Sequence, residues 1–502
     1  MWQWLLYKEN EPLIFSTAVF WIFFGVVLIG YLFIYQHNRA RTFYLTAVSL
    51  YFYYLSGGYF FVLLIISTLV DYHIGKKIYQ SDNPVVRKWL VATSVAINLA
   101  ILGYFKYTYF LTDVINQLAG TQLQAIDWLA LIANTIMGTS FDINNIILPV
   151  GISFYTFQTI SYSVDIYRRK LKPVNDIWDF AFFVSFFPQL VAGPIVRAAE
   201  FIPQIYQSYQ LSAEEFGRAI FLILNGLVKK IFISDYISVN FVDRVFESPL
   251  SYSGFENLMA VYGYSIQIYC DFSGYSDIAI GLALLLGFRL PINFNSPYKA
   301  HNITDFWRRW HISLSSWLRD YLYISLGGNR KGKLRTYMNL LLTMLLGGLW
   351  HGAHVRFIIW GALHGVALAV HKIWMEIFGK KDTPSTFWAS FWSGLLTFHF
   401  VAFCWIFFRA ENMQLVSDML SQITHHFQAE MMGQVLVAYH KIFLVMVIGF
   451  TAHWLPTWFK NAIANQFTAL PDFAKAIVIA FVALLLFQVK TADIQPFIYF
   501  QF

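Results

Sequence analysis

LIFSTAVFWIFFGVVLIGYLFIY, residues 13–35, decides the architecture: it holds no charged residue and is long enough as a helix to cross a bilayer core of roughly 30 Å. His37, Arg39 and Arg41 follow at once. Positive flanks favour the cytoplasmic side, which sets the N-terminus outside. The preceding MWQWLLYKENEP has neither a basic n-region nor a small-residue cleavage site. The apolar stretch therefore reads as a retained span, not a signal peptide. Similar runs recur to the end of the chain. Of its 502 residues 58% are hydrophobic, 19% aromatic and 13% charged, against about 25% charged in soluble domains. The chain reads as a polytopic integral membrane protein. Its net charge of +7 fits cytoplasmic loops rich in Lys and Arg rather than nucleic-acid binding. Only Cys270 and Cys404 are present, both in apolar segments, which argues against a disulfide framework or a cysteine metal site.

Working outward, residues 42–56 and 59–70 are split by Gly57-Gly58 and read as a tight hairpin or a re-entrant pair. Lys76, Lys77, Arg87 and Lys88 mark a cytoplasmic loop before a span at 89–105. From Tyr107 to Tyr167 there is no Lys or Arg; the stretch holds Asp113, Asp127 and Asp142 instead, which reads as an outside loop leading to a span near 146–166. Arg168, Arg169, Lys170 and Lys172 bring the chain back. Pro188, Gly193 and Pro194 interrupt 178–196, which reads as re-entrant, since broken backbone at membrane depth must be buried in protein or line a cavity. Spans near 216–234 and 257–287 precede the basic block 289–335, the main cytoplasmic segment. Five more lie near 336–351, 356–378, 387–408, 441–459 and 474–489. The expectation is an all-α protein of about 11–12 spans with re-entrant helices, a single integral domain over 1–502, without repeats.

Polar groups inside a membrane are costly and therefore candidates for function. Three regions carry them. In 302–325 apolar residues recur at helical spacing, Asn302 with Asp305 suits an N-terminal cap, and Arg308, Arg309 and Arg319 fall off the apolar stripe. His311 falls on that stripe, either as a core histidine bonded to a backbone carbonyl or as a functional group. In 336–352 His351 ends an apolar run among Gly347, Gly348 and Gly352. The helix from Arg335 to His351 rises about 24 Å, so the imidazole lies deep. It would serve either as a helix–helix hydrogen bond or as a general base, for which a neutral ring is required. In 262–281 Asp271 and Asp277, six residues apart, brace helices or orient a histidine. Cys270 reads as a packing residue more readily than as an acyl-carrying nucleophile. His354, His364 and His371 suggest a metal, but no HExxH or dense carboxylate–histidine cluster accompanies them, so no metal is expected. A transporter would show internal pseudo-repeats and paired intramembrane charges, and the sequence displays neither.

The motifs DFWRRWHISLSSWLRDYLYI (305–324), LLGGLWHGA (345–353) and IIWGALHG (358–365) resemble the membrane-bound O-acyltransferase (MBOAT) family. LPVGISFYTFQTISYSVDIYR (148–168), FFPQLVAGPIVR (186–197) and YCDFSGYSDIAIGLALLLGF (269–288) are similar to its branch containing the alginate O-acetyltransferase membrane subunit. The resemblance implies a ring of tilted helices around a thin centre, with funnels opening to both faces. It assigns catalysis to His351, with His311 as a second essential group. Asp305, Arg308, Arg309, Trp310, Trp350, Asp271 and Asp277 become supporting or donor-binding residues. It further implies acetyl-CoA as donor, with no bound cofactor, reaching the protein from the cytoplasm. The acceptor would be an exported cell-envelope polysaccharide, alginate-like, reached through an extracytoplasmic lipase-like (SGNH-type) partner at the bacterial inner membrane. D-alanyl transfer to teichoic acid, and peptidoglycan or cellulose O-acetylation, stay open within the same chemistry.

Overall fold

The computed structural model describes residues 6–8, 11–191, 193–379, 386–489 and 497, and every regular element among them is a helix. Six helical runs are long and apolar enough to cross a membrane, and a seventh is counted if Ala429–Ala438 and His440–Trp454, which meet at 88°, form one broken span. The eleven or twelve apolar segments of the sequence are therefore of two kinds. Those beyond the six or seven are helices too short, too broken or too polar to cross alone. The helix α1 (Ala18–Leu32) has 15 residues and rises only about 22 Å.

The pair α2 (Asn38–Gly57) and α3 (Phe61–Gln80) forms a splayed hairpin. Gly58 turns the chain with φ +67°, a conformation glycine adopts without strain. Both legs then reach one short helix, Ile177–Ser185: Phe43 rings with Trp178, and the Tyr72 hydroxyl donates to the carbonyl beside it at Asn175 (2.7 Å). Next, α4 (Pro84–Ala119) starts at the Asn83 cap and continues well past residue 105, so the first part of the expected outside loop is helical. Asp71 of α3, fully buried, accepts from Ser94 (2.6 Å) and Asn98 (2.7 Å) of α4. After α5 (Ile152–Tyr167) comes a broken, largely buried segment. A helix ends at Ser185, Phe187–Leu190 adds one turn, and residues 193–197 are non-helical. The break lies around Pro188, one of the residues that interrupt this run in the sequence.

The centre is α7 (Gly254–Leu285), packed along α6 (Ala213–Leu227) and its wide-turn continuation Val228–Asp235. Each of α6 and α7 opens on a capping box, Ser212 with Glu215 and Ser253 with Glu256. Gly226 and Gly274 face one another so closely that a Cβ on either would meet the other's carbonyl oxygen, the close approach small residues give membrane helices. Asp271 of α7 pairs with Lys230 (2.6 Å), which also pairs with Asp235 (2.7 Å), and Asp277 pairs with Lys229 (2.7 Å). Paired charges are thus present in the interior, contrary to the reading of the sequence. Their partners come from a segment 40 or more residues away, so spacing does not reveal them. They hold α7 against the stretch after α6.

The 302–325 region departs from expectation. Instead of one amphipathic helix, α8 (Ile303–Arg309) stops at Trp310, His311 turns left-handed at φ +42°, and α9 (Ile312–Trp317) begins afresh. The basic loops gather on one face: Arg197 pairs with Asp320 (2.6 Å), Arg168 donates to the Asp320 carbonyl (3.0 Å), and Arg87 to that of Tyr167. From this face α10 (Lys333–His351) runs inward, α11 (Val355–Ile377) returns, and α12 (Phe387–Arg409) follows. A Cβ at Gly361 would strike the Met344 carbonyl, and one at Gly348 the Phe357 carbonyl, and backbone cannot move aside as a side chain can. Gly361→Ala should therefore lower the thermal midpoint in detergent, at a cost of about 1–3 kcal/mol. Gly25→Ala on α1, where nothing lies within 4 Å, should be neutral. The chain closes with α13 (His440–Trp454), α14 (Thr457–Ala469) and α15 (Asp472–Val489).

Candidate active site

The end of α10 is held from outside. A helix leaves its last carbonyls without intrahelical partners, and here α4 supplies donors. The Tyr107 hydroxyl donates to the Leu349 carbonyl (2.7 Å), and Lys106 Nζ donates to the carbonyls of Trp350 (2.7 Å) and His351 (2.9 Å). A cation at a helix C-terminus is also favoured by the helix dipole. These bonds fix the backbone of His351. Its ring, 4% exposed, lies between Trp350 (4.9 Å between ring centres), Trp360 (5.1 Å) and Phe408 (5.1 Å), each met edge to face. An aromatic box of this kind excludes water while leaving the imidazole nitrogens as the local polar groups.

His311 is placed by a different device. Its left-handed backbone is uncommon for a residue with a side chain and is held by Asn293. The Asn293 carbonyl accepts from Ile312 N (2.9 Å), and its Oδ1 accepts from Ser313 N (3.2 Å) and Oγ (2.9 Å). The same Oδ1 faces His311 Nδ1 at 3.1 Å. Because Oδ1 can only accept, the proton of a neutral ring sits on Nδ1, and Nε2 is the basic nitrogen. The edge of Phe272 meets the ring at 4.5 Å. Both histidines border one indole: Trp350 is 6.4 Å from His311 and 4.9 Å from His351.

Two adjoining cavities lead to this group from the face opposite the basic loops. The larger, about 310 Å³, is lined by Lys106, Tyr109, Asp113, Gly352, His354 and Arg356 among others. The smaller, about 80 Å³, includes Lys106, Gly151, Phe154 and Trp350 in its walls. They share Lys106 and Leu148. Phe154 lies 5.8 Å from Trp350 and 6.5 Å from His311. A hydroxyl-bearing group arriving through this opening would end beside the Trp350 ring.

Of the other residues expected from sequence, Trp350 sits between the two histidines. Trp310 is a buried wall residue stacked on Phe306 (5.7 Å) and tilted against Trp405 (5.0 Å). Asp305, whose N–H is capped by Asn302 as expected (2.8 Å), pairs with Arg309 (2.9 Å) one turn on. Arg308 is exposed on the basic side. Asp271 and Asp277 meet lysines, not histidines. His364 accepts from Trp307 Nε1 (3.3 Å), and His371 meets Thr304 (2.9 Å).

Sequence reasoning missed Lys106, Tyr107, Asn293, Trp360 and Phe408. Lys106 carried a signal: it is the only Lys or Arg between Lys88 and Arg168, and intramembrane charge is a functional pointer. Lys106→Met should leave two buried carbonyls without donors and let His351 shift. Turnover is expected to fall about 10²-fold, with Lys106→Arg intermediate, both followed by acyl-transfer rate at constant protein fold.

Comparison with known proteins agrees with this architecture. Residues 60–408 match the membrane-bound O-acyltransferase family. The probable alginate O-acetylase AlgI of Pseudomonas syringae pv. tomato is 41% identical over 410 residues, 81% of this chain and 74% of its own length. That of Pseudomonas putida is 36% identical over 98% of this chain and its whole length. The peptidoglycan O-acetyltransferase of Helicobacter pylori is 38% identical over 80% of this chain and 78% of its own. With the family match covering both histidines and the interior helices that position them, this multi-pass membrane protein belongs to the membrane-bound O-acyltransferase family and is an O-acyltransferase.

Proposed function

We propose that the chain is an O-acetyltransferase of the bacterial inner membrane. It takes acetyl from acetyl-CoA on the cytoplasmic, basic face and passes it towards hydroxyls of an exported, alginate-like polysaccharide through a lipase-like (SGNH-type) partner on the other face. The observation that carries this reading is the meeting of His351 and His311 at one indole, beneath cavities opening opposite the basic loops. His351 is the general base. It takes the proton of the attacking hydroxyl as the oxygen bonds to the thioester carbonyl carbon. The carbon–sulfur bond then breaks, and the thiolate leaves as the free thiol with that proton. His311, with Nδ1 held by Asn293, is the second essential group, and its Nε2 faces the donor side as an acceptor. The aromatic walls keep water from competing as nucleophile. Trp310, with Asp305, Arg308 and Arg309 behind it, supports the donor side, while Asp271 and Asp277 act by holding helices.

The test uses purified chain in proteoliposomes with labelled acetyl-CoA on the basic side, and with the lipase-like partner and alginate on the other. Hydroxylamine-labile label on partner or polymer is expected. Transfer from a D-alanyl carrier protein in its place, with none from acetyl-CoA, would replace the acetyl reading by teichoic-acid chemistry.

A further inference from the structure

On the basic side of the protein, behind His311, lies a cluster of cations that no role described above uses. Lys299 Nζ donates to the Leu455 carbonyl (2.7 Å). Lys460 Nζ donates to the His453 carbonyl (2.8 Å) and to Ser296 Oγ (3.0 Å). Neither ammonium forms an ion pair among the described residues. Lys229 and Arg309 stand nearby, each already matched by one carboxylate, Asp277 and Asp305. The group therefore carries two positive charges more than it carries negative ones. Each lysine is half-buried, and unmatched charge out of water is costly. Burial, with Lys299 and Lys229 adding repulsion, pushes Lys460 down to about 8. Burial and Arg309 lower Lys299 as well.

His453 supplies a second, independent observation. It is 1% exposed, and its Nε2 accepts the backbone N–H of Tyr298 (3.1 Å). The proton of the neutral ring must then sit on Nδ1. That buried N–H has no hydrogen-bond partner among the described residues, where buried donors normally have one. A buried donor beside two unmatched ammoniums describes a place for an oxyanion. The site also connects to the candidate active site along one wall of touching rings. Tyr269 meets His453 (4.5 Å) and Phe294 (6.0 Å), Phe294 meets Phe272 (4.9 Å), and Phe272 meets His311 (4.5 Å).

We propose that Lys299, Lys460 and His453 form a binding site for a phosphate ester or diphosphate, backed by Lys229 and Arg309. The two ammoniums and the imidazole N–H donate to its oxygens, and the ring wall leads from it towards His311. That this phosphate belongs to the acyl donor's nucleotide rests on the function proposed above. The site itself does not.

The experiment measures binding of inorganic diphosphate and of CoA to the full chain in nanodiscs of purely zwitterionic lipid. Lys299→Met, Lys460→Met and the double variant are compared with wild type, with thermal midpoint as the check on folding. Saturable binding is expected to weaken about tenfold for each lysine removed, since each charge-assisted hydrogen bond is of that worth, and Lys460→Arg should restore it. The pH profile adds a signature a structural role would not give. Lys460 has its proton in the free protein only below about pH 8, and binding needs that proton, so wild-type affinity should decline above pH 8. Lys460→Arg, charged throughout, should lose that part of the decline, leaving only what Lys299 contributes. Lys229 and Arg309 stay paired with Asp277 and Asp305, and His453 neutral, across this range. In a second arm, anionic phospholipid replaces the zwitterionic lipid. If only that lipid is retained, and retained less by the variants, the phosphate site stands with a headgroup as occupant and the donor assignment falls. Binding of diphosphate, CoA and anionic lipid unchanged in the double variant, or absent from wild type, overturns the proposal. No acyl transfer enters the readout, so a chain that uses another acyl group would still pass.

Discussion

Replacing His351 by alanine is expected to lower acyl transfer by about 10²–10⁴-fold, the usual contribution of a positioned general base, while the protein still folds. The structure makes these two readouts separable. The imidazole fills a box made by Trp350, Trp360 and Phe408, and the backbone below it is held by Lys106 and Tyr107 through carbonyls that the substitution leaves in place. Truncation therefore opens a hole without releasing the end of α10. Because cavities lined by Lys106, Trp350 and Gly352 reach this point, added imidazole should enter the hole and restore part of the rate to His351→Ala. It should restore none to Lys106→Met, where geometry and not the base is lost. The measurement is initial rate of label transfer in proteoliposomes, with and without imidazole. A variant that transfers at the wild-type rate would remove His351 from the chemistry and leave it a packing residue.

The two histidines were legible to different degrees, for physical reasons. His351 stands at the end of an uninterrupted apolar run with glycines around it, so its depth follows from counting along the helix. The buried place of His311 was reached by assuming a continuous helix, and that assumption is wrong. The chain breaks at Trp310, and His311 is buried because Asn293 captures the left-handed turn. Apolar spacing stays helical on both sides of the break, so periodicity passes over it. A single left-handed histidine has no sequence signature. Asn302 as the cap of α8 and the glycines of α10 depend on neighbours within a few residues and were readable. The caps from Lys106 and Tyr107 and the lysine pairs of α7 depend on segments far apart in sequence, where local pattern carries no information, whereas the break at Gly57-Gly58 was readable and only the choice between a hairpin and a re-entrant pair was not. Span number failed for a related reason: hydropathy counts apolar segments, while burial within the protein demands apolar character as strongly as lipid does.

The second large effect belongs to Lys230, and it is a loss of the fold rather than of the chemistry. Its ammonium, on a residue 1% exposed, lies between Asp271 (2.6 Å) and Asp235 (2.7 Å). Taking it away leaves two buried carboxylates facing each other without their cation, in the helix pair around which the other elements are packed. Breaking a buried ion pair from one side costs about 3–5 kcal/mol, of the order of a whole domain's net stability. Lys230→Met keeps the aliphatic stem and its packing, so the loss is electrostatic. The variant is expected to accumulate poorly and to leave detergent extraction as aggregate, with its thermal midpoint well below that of His351→Ala. The converse is more telling. If desolvation of unmatched charge is the cause, Lys230→Met combined with Asp235→Asn and Asp271→Asn should regain most of the lost stability, because a neutral interior of similar volume often equals a buried ion pair. Recovery of stability together with acyl transfer would show that the triad only holds α7 in place. Recovery of stability without transfer would give these carboxylates a part in the reaction and contradict the bracing role. A single Lys230→Met protein as stable as wild type would mean that water reaches these charges, and that the interface between α7 and the stretch after α6 is wetter than its packing indicates.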